Sequence, residues 1–269
     1  MDYKLLALDL DGTLTNSKKE ITPQTLEALI DIQEKGVKVV LASGRPVYGI
    51  LPLAEQLHLA DYGSYVLGFN GGRIIDCRTK EVVYNQTLPD NIIDTLFDLV
   101  KKYPGLDILT YTERNILSGI KPNQYTELES RINHMPIILS EDFKTEAPAN
   151  PNKFLVTGDP AVIADCKDEL KRFYRGKISI YCSDPFFLEI MPKDIDKGNS
   201  LSQLLESTGI TREDMICCGD GYNDITMIEL AGLGVAMENA QPLVRSLADY
   251  ITKSNDEDGV LHVINKFIR

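Results

Sequence analysis

Several kinds of chemistry lack their usual parts in this chain. Its three histidines, His58, His134 and His262, fall in no motif, so a serine hydrolase finds no support. The five cysteines, Cys77, Cys166, Cys182, Cys217 and Cys218, are odd in number and show no Cys-x-x-Cys spacing. That argues against a disulfide framework or a zinc site and fits a reducing cytosol. Cys217 and Cys218 sit inside an apolar run and read as buried thiols. No basic cluster offsets a formal net charge of −12, which argues against nucleic acid and anionic membranes as partners. A phosphorylated substrate would be repelled overall, so its site must carry local positive charge. No apolar run is long enough to cross a bilayer, and the start lacks a basic segment followed by an apolar stretch and a cleavage site. The expectation is a cytoplasmic protein that does not engage the membrane.

What is present is an ordinary globular composition, 43% hydrophobic and 25% charged, over 269 residues. That length suits one large α/β domain or a domain with an insertion. The organising stretch is Asp9-Leu10-Asp11-Gly12-Thr13-Leu14-Thr15, directly after the apolar run Leu5-Leu6-Ala7-Leu8. A short, continuous apolar run reads as a strand buried on both faces, as in a parallel sheet, where chemistry lies beyond the carboxyl ends of strands. Strand geometry predicts Asp9 and Asp11 side by side with Leu10 pointing away, and Gly12 permits a sharp turn. Two adjacent carboxylates repel unless a cation or a shared proton relieves the charge. Alone, Asp-x-Asp-Gly is equally a strand end with a turn.

The next segments alternate. Thr22-Pro23 starts a helix that Gly36 ends, and Val37–Leu41 is a second strand, making a βαβ unit. That strand runs into Ser43-Gly44-Arg45-Pro46 and a helix through Leu57, which places Ser43 and Gly44 near a helix N-terminus, a ready anion site. Ser43 is also an ordinary cap residue, and Arg45 by itself an ordinary surface charge. A third strand, Tyr65–Phe69, ends in Asn70-Gly71-Gly72 and is followed by a hairpin of Arg73–Asp76 and Glu81–Tyr84.

The alternation then breaks. A helix from Pro89 to Lys102 precedes strands at Ile108–Thr112 and Asn115–Gly119, and a second helix, Pro160–Tyr174, precedes Lys177–Cys182 and Phe186–Ile190. Between them lie a helix at Gln124–Asn133, strands at Pro136–Leu139 and Phe154–Thr157, and a loop from Glu141 to Asn152. Paired strands with packed helices indicate an α+β module. The predicted organisation is a doubly wound core at 1–83 and 193–269 with an inserted cap at 84–192. Hinges are expected near Asn70–Gly72 and Pro192–Asp196.

The doubly wound pattern returns after Asp196-Lys197-Gly198 with a helix at Asn199–Ser207. An apolar strand, Met215–Cys218, then ends in Gly219-Asp220-Gly221-Tyr222-Asn223-Asp224. Helices at Ile225–Ala231, Pro242–Leu247 and Gly259–Ile268 and strands at Gly234–Ala236 and Tyr250–Thr252 complete the sheet. Asp224 lies four residues beyond Asp220, on one helical face. Each acidic cluster alone reads as a turn and a cap; two at strand ends of one sheet point to a hard, oxygen-bound cation such as Mg²⁺. Lys197, at the helix that re-enters the sheet, can point back at the strand ends and offset a phosphate and a carboxylate together.

With these residues in view, the chain resembles the haloacid dehalogenase superfamily, in particular its Cof-like subfamily IIB sugar-phosphate phosphatases. The matching motifs are Asp9-Leu10-Asp11-Gly12-Thr13, Ser43, Lys197 and Gly219-Asp220-Gly221-Tyr222-Asn223-Asp224. The resemblance implies a Rossmann-like α/β core with a C2B-type cap that closes over the strand ends. It implies that Asp9 attacks phosphorus, forming an aspartyl-phosphate, while Asp11 acts first as acid and then as base, with a pKa high enough to carry the proton. Mg²⁺ would be held by Asp9, the Asp11 carbonyl and Asp220. The Leu10 N–H, Ser43, the Gly44 N–H, Lys197 and Asn223 would hold the phosphoryl group, with Arg45, Asn70 and Asp224 in support. Asp224 is expected to orient Lys197 or a metal-bound water. In the cap, Asn115, Ser183 and Phe186 are candidate substrate contacts. The implied partner is a small phosphorylated metabolite, such as a sugar phosphate, a phosphorylated vitamin or flavin mononucleotide, with the chain a monomer or weak homodimer. A phosphomutase of the same superfamily and a non-catalytic sugar-phosphate sensor remain alternatives.

Overall fold

The computed structural model describes residues 3–269. It is a mixed α/β structure that divides into two compact units. One holds the residues through Asn85 together with Asp196–Arg269, the other Gln86–Ile195.

The first unit is built on an eight-stranded sheet in the order Tyr250–Ile251, Leu233–Ala236, Met215–Gly219, Leu5–Leu8, Lys38–Ala42, Tyr65–Gly68, Arg73–Asp76 and Val82–Asn85. The first six run parallel, and Arg73–Asp76 runs against both of its neighbours, Tyr65–Gly68 and Val82–Asn85. Successive strand residues point to opposite faces, and both faces are covered. Leu6, Leu8, Val39, Leu41, Ile216 and Cys218 join one core, whereas Leu5, Ala7, Val40, Ala42, Met215 and Cys217 join another. This is why the central strands are apolar without alternation.

Helices Pro23–Glu34, Val47–Gln56 and Gly259–Phe267 supply the first core with Ala28, Leu29, Ile32, Ile50, Ala54, Val263 and Ile264. Helix Lys197–Thr208 supplies the second with Leu201, Leu204 and Leu205. Each fully buried leucine or isoleucine contributes roughly 1.5–3 kcal/mol, so these faces hold the strands in register. Parallel pairing sets the carboxyl ends of Leu5–Leu8, Lys38–Ala42, Tyr65–Gly68 and Met215–Gly219 along one edge. The candidate site residues of this unit come after these ends or begin a helix.

Three local details differ from the sequence expectation. Pro46 caps its helix from outside, because its ψ of 150° is extended. A short helix, Leu59–Tyr62, comes next, with left-handed residues at both ends. The re-entrant helix starts at Lys197 itself, because Asp196 accepts the Asn199 N–H at 2.8 Å and takes the capping position.

The second unit is a six-stranded sheet in the order Ile178–Asp184, Phe187–Pro192, Phe154–Thr157, Asp107–Tyr111, Ile116–Ser118 and Ile137–Leu139. It is antiparallel except between its last two strands. Helices Ile92–Val100 and Pro160–Tyr174 each precede a hairpin and pack Leu96, Val100, Ile163, Cys166 and Leu170 into one core with Phe154, Val156, Leu188 and Ile190. The stretch expected as a loop contains a short helix, Phe143–Glu146, anchored by the buried Phe143.

A buried acid organises the middle of this sheet. Asp107 Oδ1 accepts the N–H groups of Ile108, Ile120 and Lys121 at 3.0–3.2 Å, and its Oδ2 accepts the hydroxyls of Ser118 at 2.7 Å and Thr126 at 3.0 Å. These bonds satisfy the chain where it leaves Ile116–Ser118 for helix Gln124–Asn133.

The chain passes between the units at Asn85–Gln86 and Ile195–Asp196, two to three residues beyond the 83/84 and 192/193 boundaries expected from sequence. The first hinge expectation is therefore displaced. Asn70–Gly72 is anchored inside the first unit, where the Ser200 hydroxyl donates to the Gly71 carbonyl at 2.6 Å. A Cβ on Gly71, whose φ is +105°, would meet Asp196 O and Ser200 Oγ at 2.5 Å. Among the described residues no helix is long and apolar enough to cross a membrane.

Asp107→Ala would leave several buried donors unpaired, and each unsatisfied group costs roughly 1–3 kcal/mol. The expected loss of stability is about 3 kcal/mol or more, read as an earlier urea midpoint for unfolding of the second unit. An unchanged midpoint would contradict this role.

Candidate active site

The strand Leu5–Leu8 ends one residue before Asp9, so its pleat does not govern the residues beyond it. The chain turns at once: the N–H groups of Thr13 and Thr15 both donate to the Leu10 carbonyl, at 3.4 and 2.9 Å. Leu10 is fully buried in the core, as expected for a side chain pointing away. The two carboxylates, however, have different surroundings. Asp9 is 7% exposed and reaches Lys197, whereas the half-buried Asp11 turns to Arg45 and Lys19. The two acids of this loop therefore face different partners.

Lys197 is the centre of the acidic cluster. Its fully buried Nζ donates to Asp9 Oδ1 and to Asp224 Oδ1, both at 2.6 Å. Asp224 is itself aimed by its backbone surroundings, since its Oδ2 accepts the N–H groups of Asp220 and Gly221 at 2.9 and 2.8 Å. Asp224 ends the single turn Tyr222–Asp224, and this turn brings it beneath the loop it holds. Asp220 is held from the first loop, where the Thr13 hydroxyl donates to its Oδ1 at 2.9 Å. Gly12 is required there. Its φ is +90°, and a Cβ would fall 2.5 Å from Asp220 Oδ2.

Charge in this cluster is unbalanced. Asp9, Asp220 and Asp224 can each place an oxygen within 4.8 Å of the others, against one ammonium. Burial raises Asp9 well above the usual carboxylate range, and the neighbouring Asp224 and Asp220 push it further against the pull of Lys197. Burial likewise lifts Asp220 to about 6, opposed by the Thr13 hydroxyl. Burial lowers Lys197, but Asp224 and Asp9 more than reverse this and hold it above the ordinary lysine value. An all-oxygen donor set carrying excess negative charge fits a hard divalent cation such as Mg²⁺.

Asp11 behaves in the opposite way. Burial raises it, yet the hydrogen bonds and charges of Arg45 and then Lys19 outweigh burial and leave it below its ordinary value. The two cations that grip Asp11 favour its carboxylate form, a direction opposite to the raised pKa that the resemblance implies.

Across the sheet edge, Ser43, Gly44, Asn70 and Asn223 gather. Ser43 is 3% exposed; its N–H donates to the Leu67 carbonyl and its carbonyl accepts the Asn70 N–H, both at 2.9 Å. Phe69 and Asn70 both take left-handed φ values, 55° and 53°, which turns the Asn70 side chain to accept from Asn223 Nδ2 at 3.0 Å. The helix after them begins at Val47, so Ser43 and Gly44 stand in the loop ahead of it.

The structure thus brings Asp9, Asp220, Asp224 and Lys197 into one cluster, joins Asp11 to Arg45, and joins Ser43 and Asn223 through Asn70. Sequence reasoning gives no role to Lys19 or to the Thr13 hydroxyl. Lys19 lies in a polar stretch, and its placement depends on its own left-handed φ of 63°, which no local pattern announces. The cap candidates have local partners. Asn115 closes a turn with Thr112, Ser183 donates to Glu189 Oε1 at 3.0 Å, and Phe186 stacks on Tyr125 at 4.6 Å.

Clustered carboxylates and a buried lysine at the strand ends of a doubly wound sheet supply the charge and positioning that phosphoryl transfer asks for. Comparison with known proteins agrees: residues 6–264 match the model of the haloacid dehalogenase-like hydrolases. The chain belongs to that family and is a phosphatase of it. It is similar to the 5-amino-6-(5-phospho-D-ribitylamino)uracil phosphatase YcsE of Bacillus subtilis, 32% identical over 100% of this chain and 97% of that one. It is also similar to the crystal structure of a haloacid dehalogenase-like hydrolase from Bacteroides thetaiotaomicron, with a TM-score of 0.96 at 47% identity over 98% of this chain and 99% of the other. A subclass IIB sugar phosphatase of the superfamily superposes with a TM-score of 0.80 at 25% identity, covering 98% of each chain.

The raised carboxyls give a stability signature with a definite sign. Asp220 binds its proton more tightly folded than unfolded, so its contribution is complete below its ordinary value of 3.8 and lost as pH rises towards about 6. In chelator-treated protein the melting temperature should fall across that interval, and Asp220→Asn should flatten the fall. A variant curve as steep as the parent's would refute the assignment.

Proposed function

We propose that this chain is a Mg²⁺-dependent phosphatase that hydrolyses a phosphate monoester of a sugar or sugar-derived alcohol through an aspartyl-phosphate on Asp9. The observation that carries this reading is the buried Lys197 held at 2.6 Å by both Asp9 and Asp224, beside Asp220. The substrate class is supported by two similar proteins, one named for a phospho-ribityl compound and the other as a sugar phosphatase.

Phosphoryl transfer asks mainly for positioning and for stabilisation of charge. In this reading Asp11 enters the first step protonated: Asp9 Oδ attacks phosphorus, the bond from phosphorus to the ester oxygen breaks, and Asp11 gives that oxygen its proton. Water then attacks the same phosphorus, Asp11 takes a proton from it, and Asp9 leaves as a carboxylate, so both residues end as they began. Between the two steps Asp11 is a carboxylate, the form that Arg45 and Lys19 favour and the one that accepts the proton from water. Asp9, Asp220 and the Asp11 carbonyl would hold Mg²⁺, which when bound offsets the charge of nucleophile and phosphate.

Lys197, Ser43, Gly44, Asn223 and the Leu10 N–H hold the phosphoryl oxygens, with Asn70 orienting Asn223. Asp224 orients Lys197 and leaves metal contact to Asp9 and Asp220, because both of its oxygens already accept hydrogen bonds. The intact nucleophile beside an acid favours an enzyme over a sensor.

The test is phosphate release across a panel of phosphorylated metabolites with Mg²⁺. Asp9→Asn, which keeps the shape but cannot attack, should lower kcat by about a thousandfold or more, since covalent catalysis is removed outright. Chelation should abolish turnover and added Mg²⁺ restore it. Transfer to a second hydroxyl without release of free phosphate would favour the mutase, and no hydrolysis across the panel would favour the sensor.

A further inference from the structure

Asp11 is held in place from outside its own loop. It stands beyond the end of strand Leu5–Leu8, where no pleat orients its side chain. Arg45, 34 positions away in sequence, meets it with both arms of the guanidinium, Nε to Oδ2 at 2.8 Å and Nη2 to Oδ1 at 2.6 Å. A bidentate fork fixes the plane of a carboxylate, which a single donor does not. The Arg45 side chain is only 13% exposed, so its own rotamers are restricted by packing.

The base of Arg45 is fixed as well. Its N–H donates to Ser43 Oγ at 3.2 Å and its carbonyl accepts the Phe69 N–H at 2.9 Å. The guanidinium is therefore planted on the same short segment as Ser43, and it ties the loop of Asp9 and Asp11 to the end of the neighbouring strand. Lys19 adds a second donor, Nζ to Asp11 Oδ1 at 2.8 Å. It is 61% exposed and makes one bond from a long flexible side chain, the kind of pair that contributes little.

We propose that Arg45 is the positioning residue that aims the Asp11 carboxylate at the ester oxygen, with Lys19 a weak second tether. This rests on the chain being a phosphatase that works through Asp9 and Asp11. A group that aims an acid matters in proportion to how much the leaving group needs a proton. A group that holds the phosphoryl oxygens matters equally for every monoester. General acid catalysis contributes typically 10²–10⁴-fold, and small misplacement of an acting group forfeits much of that.

The experiment compares kcat/KM on two substrates with Mg²⁺ present. One is p-nitrophenyl phosphate, whose departing phenolate leaves without a proton. The other is the alkyl phosphate turned over fastest by the unmodified protein. Arg45→Ala is expected to lose at least tenfold more activity on the alkyl ester than on the aryl ester. Arg45→Lys should recover part of that difference, and Lys19→Ala should change the ratio less than threefold. Asp11→Asn should shift the ratio the same way, and adding Arg45→Ala to it should shift the ratio no further, because the two act as one unit. An unchanged melting temperature and far-UV circular dichroism report that each variant is folded. Equal losses on both substrates, or independent effects of Arg45 and Asp11, would overturn the proposal while leaving the phosphatase reading intact. Undiminished turnover by Asp9→Asn would overturn both.

Discussion

The site depends on one buried cation. Taking the Lys197 ammonium wholly out of water costs several kcal/mol, and only close, well-directed anions offset that. Asp9 and Asp224 do so at 2.6 Å each, and Asp224 is in turn held by the N–H groups of Asp220 and Gly221. Lys197 begins its helix, Asp9 follows the first strand, and Asp224 closes the turn after Met215–Gly219. A single ammonium therefore joins segments from both ends of the chain. Losing any partner leaves a charge stranded in the interior, so the constellation stands or falls together.

Around that cation the two carboxylates of the first loop receive opposite treatment. Asp9 lies among other acids in a dry cluster that penalises its charge, and Asp11 lies among cations that favour it. Environments that drive two acids apart are how one loop can serve two chemical roles. The same contrast accounts for a phosphate site in a chain of net charge −12. Lys197, Arg45 and Lys19 gather at one edge, each paired with a carboxylate there, and the acids still outnumber them. The spare negative charge of Asp9 and Asp220 is what a divalent ion would neutralise.

Much of the first unit is legible in the sequence because its signals are local. Leu5–Leu8 and Met215–Cys218 read as strands from uninterrupted apolar residues, since a sheet covered on both faces needs no alternation. Helices Gln124–Asn133, Pro160–Tyr174 and Pro242–Leu247 lie where caps and spacing put them. Ends are less legible. The helix beginning at Lys197 starts two residues ahead of its sequence expectation, because its cap is the side chain of Asp196, which the motif lysine beside it obscures. The crossing into the second unit comes later than expected because Val82–Asn85, exposed along much of its length, pairs as an edge strand of the first sheet.

By itself the sequence determined the family and singled out the acids and the lysine at strand ends, because such motifs depend on residue type and on short-range spacing. Only the tertiary structure decided how those residues are shared out. The Asp11–Arg45 fork joins residues 34 positions apart, and the Lys197–Asp9 contact joins residues 188 apart. The left-handed turns at Lys19, Phe69 and Asn70 are conformations that surrounding contacts impose on residues with no strong preference for them. Long-range pairing and imposed backbone geometry leave no periodic trace in a chain, so the partner of each charge emerges only when the sheet has brought its edges together.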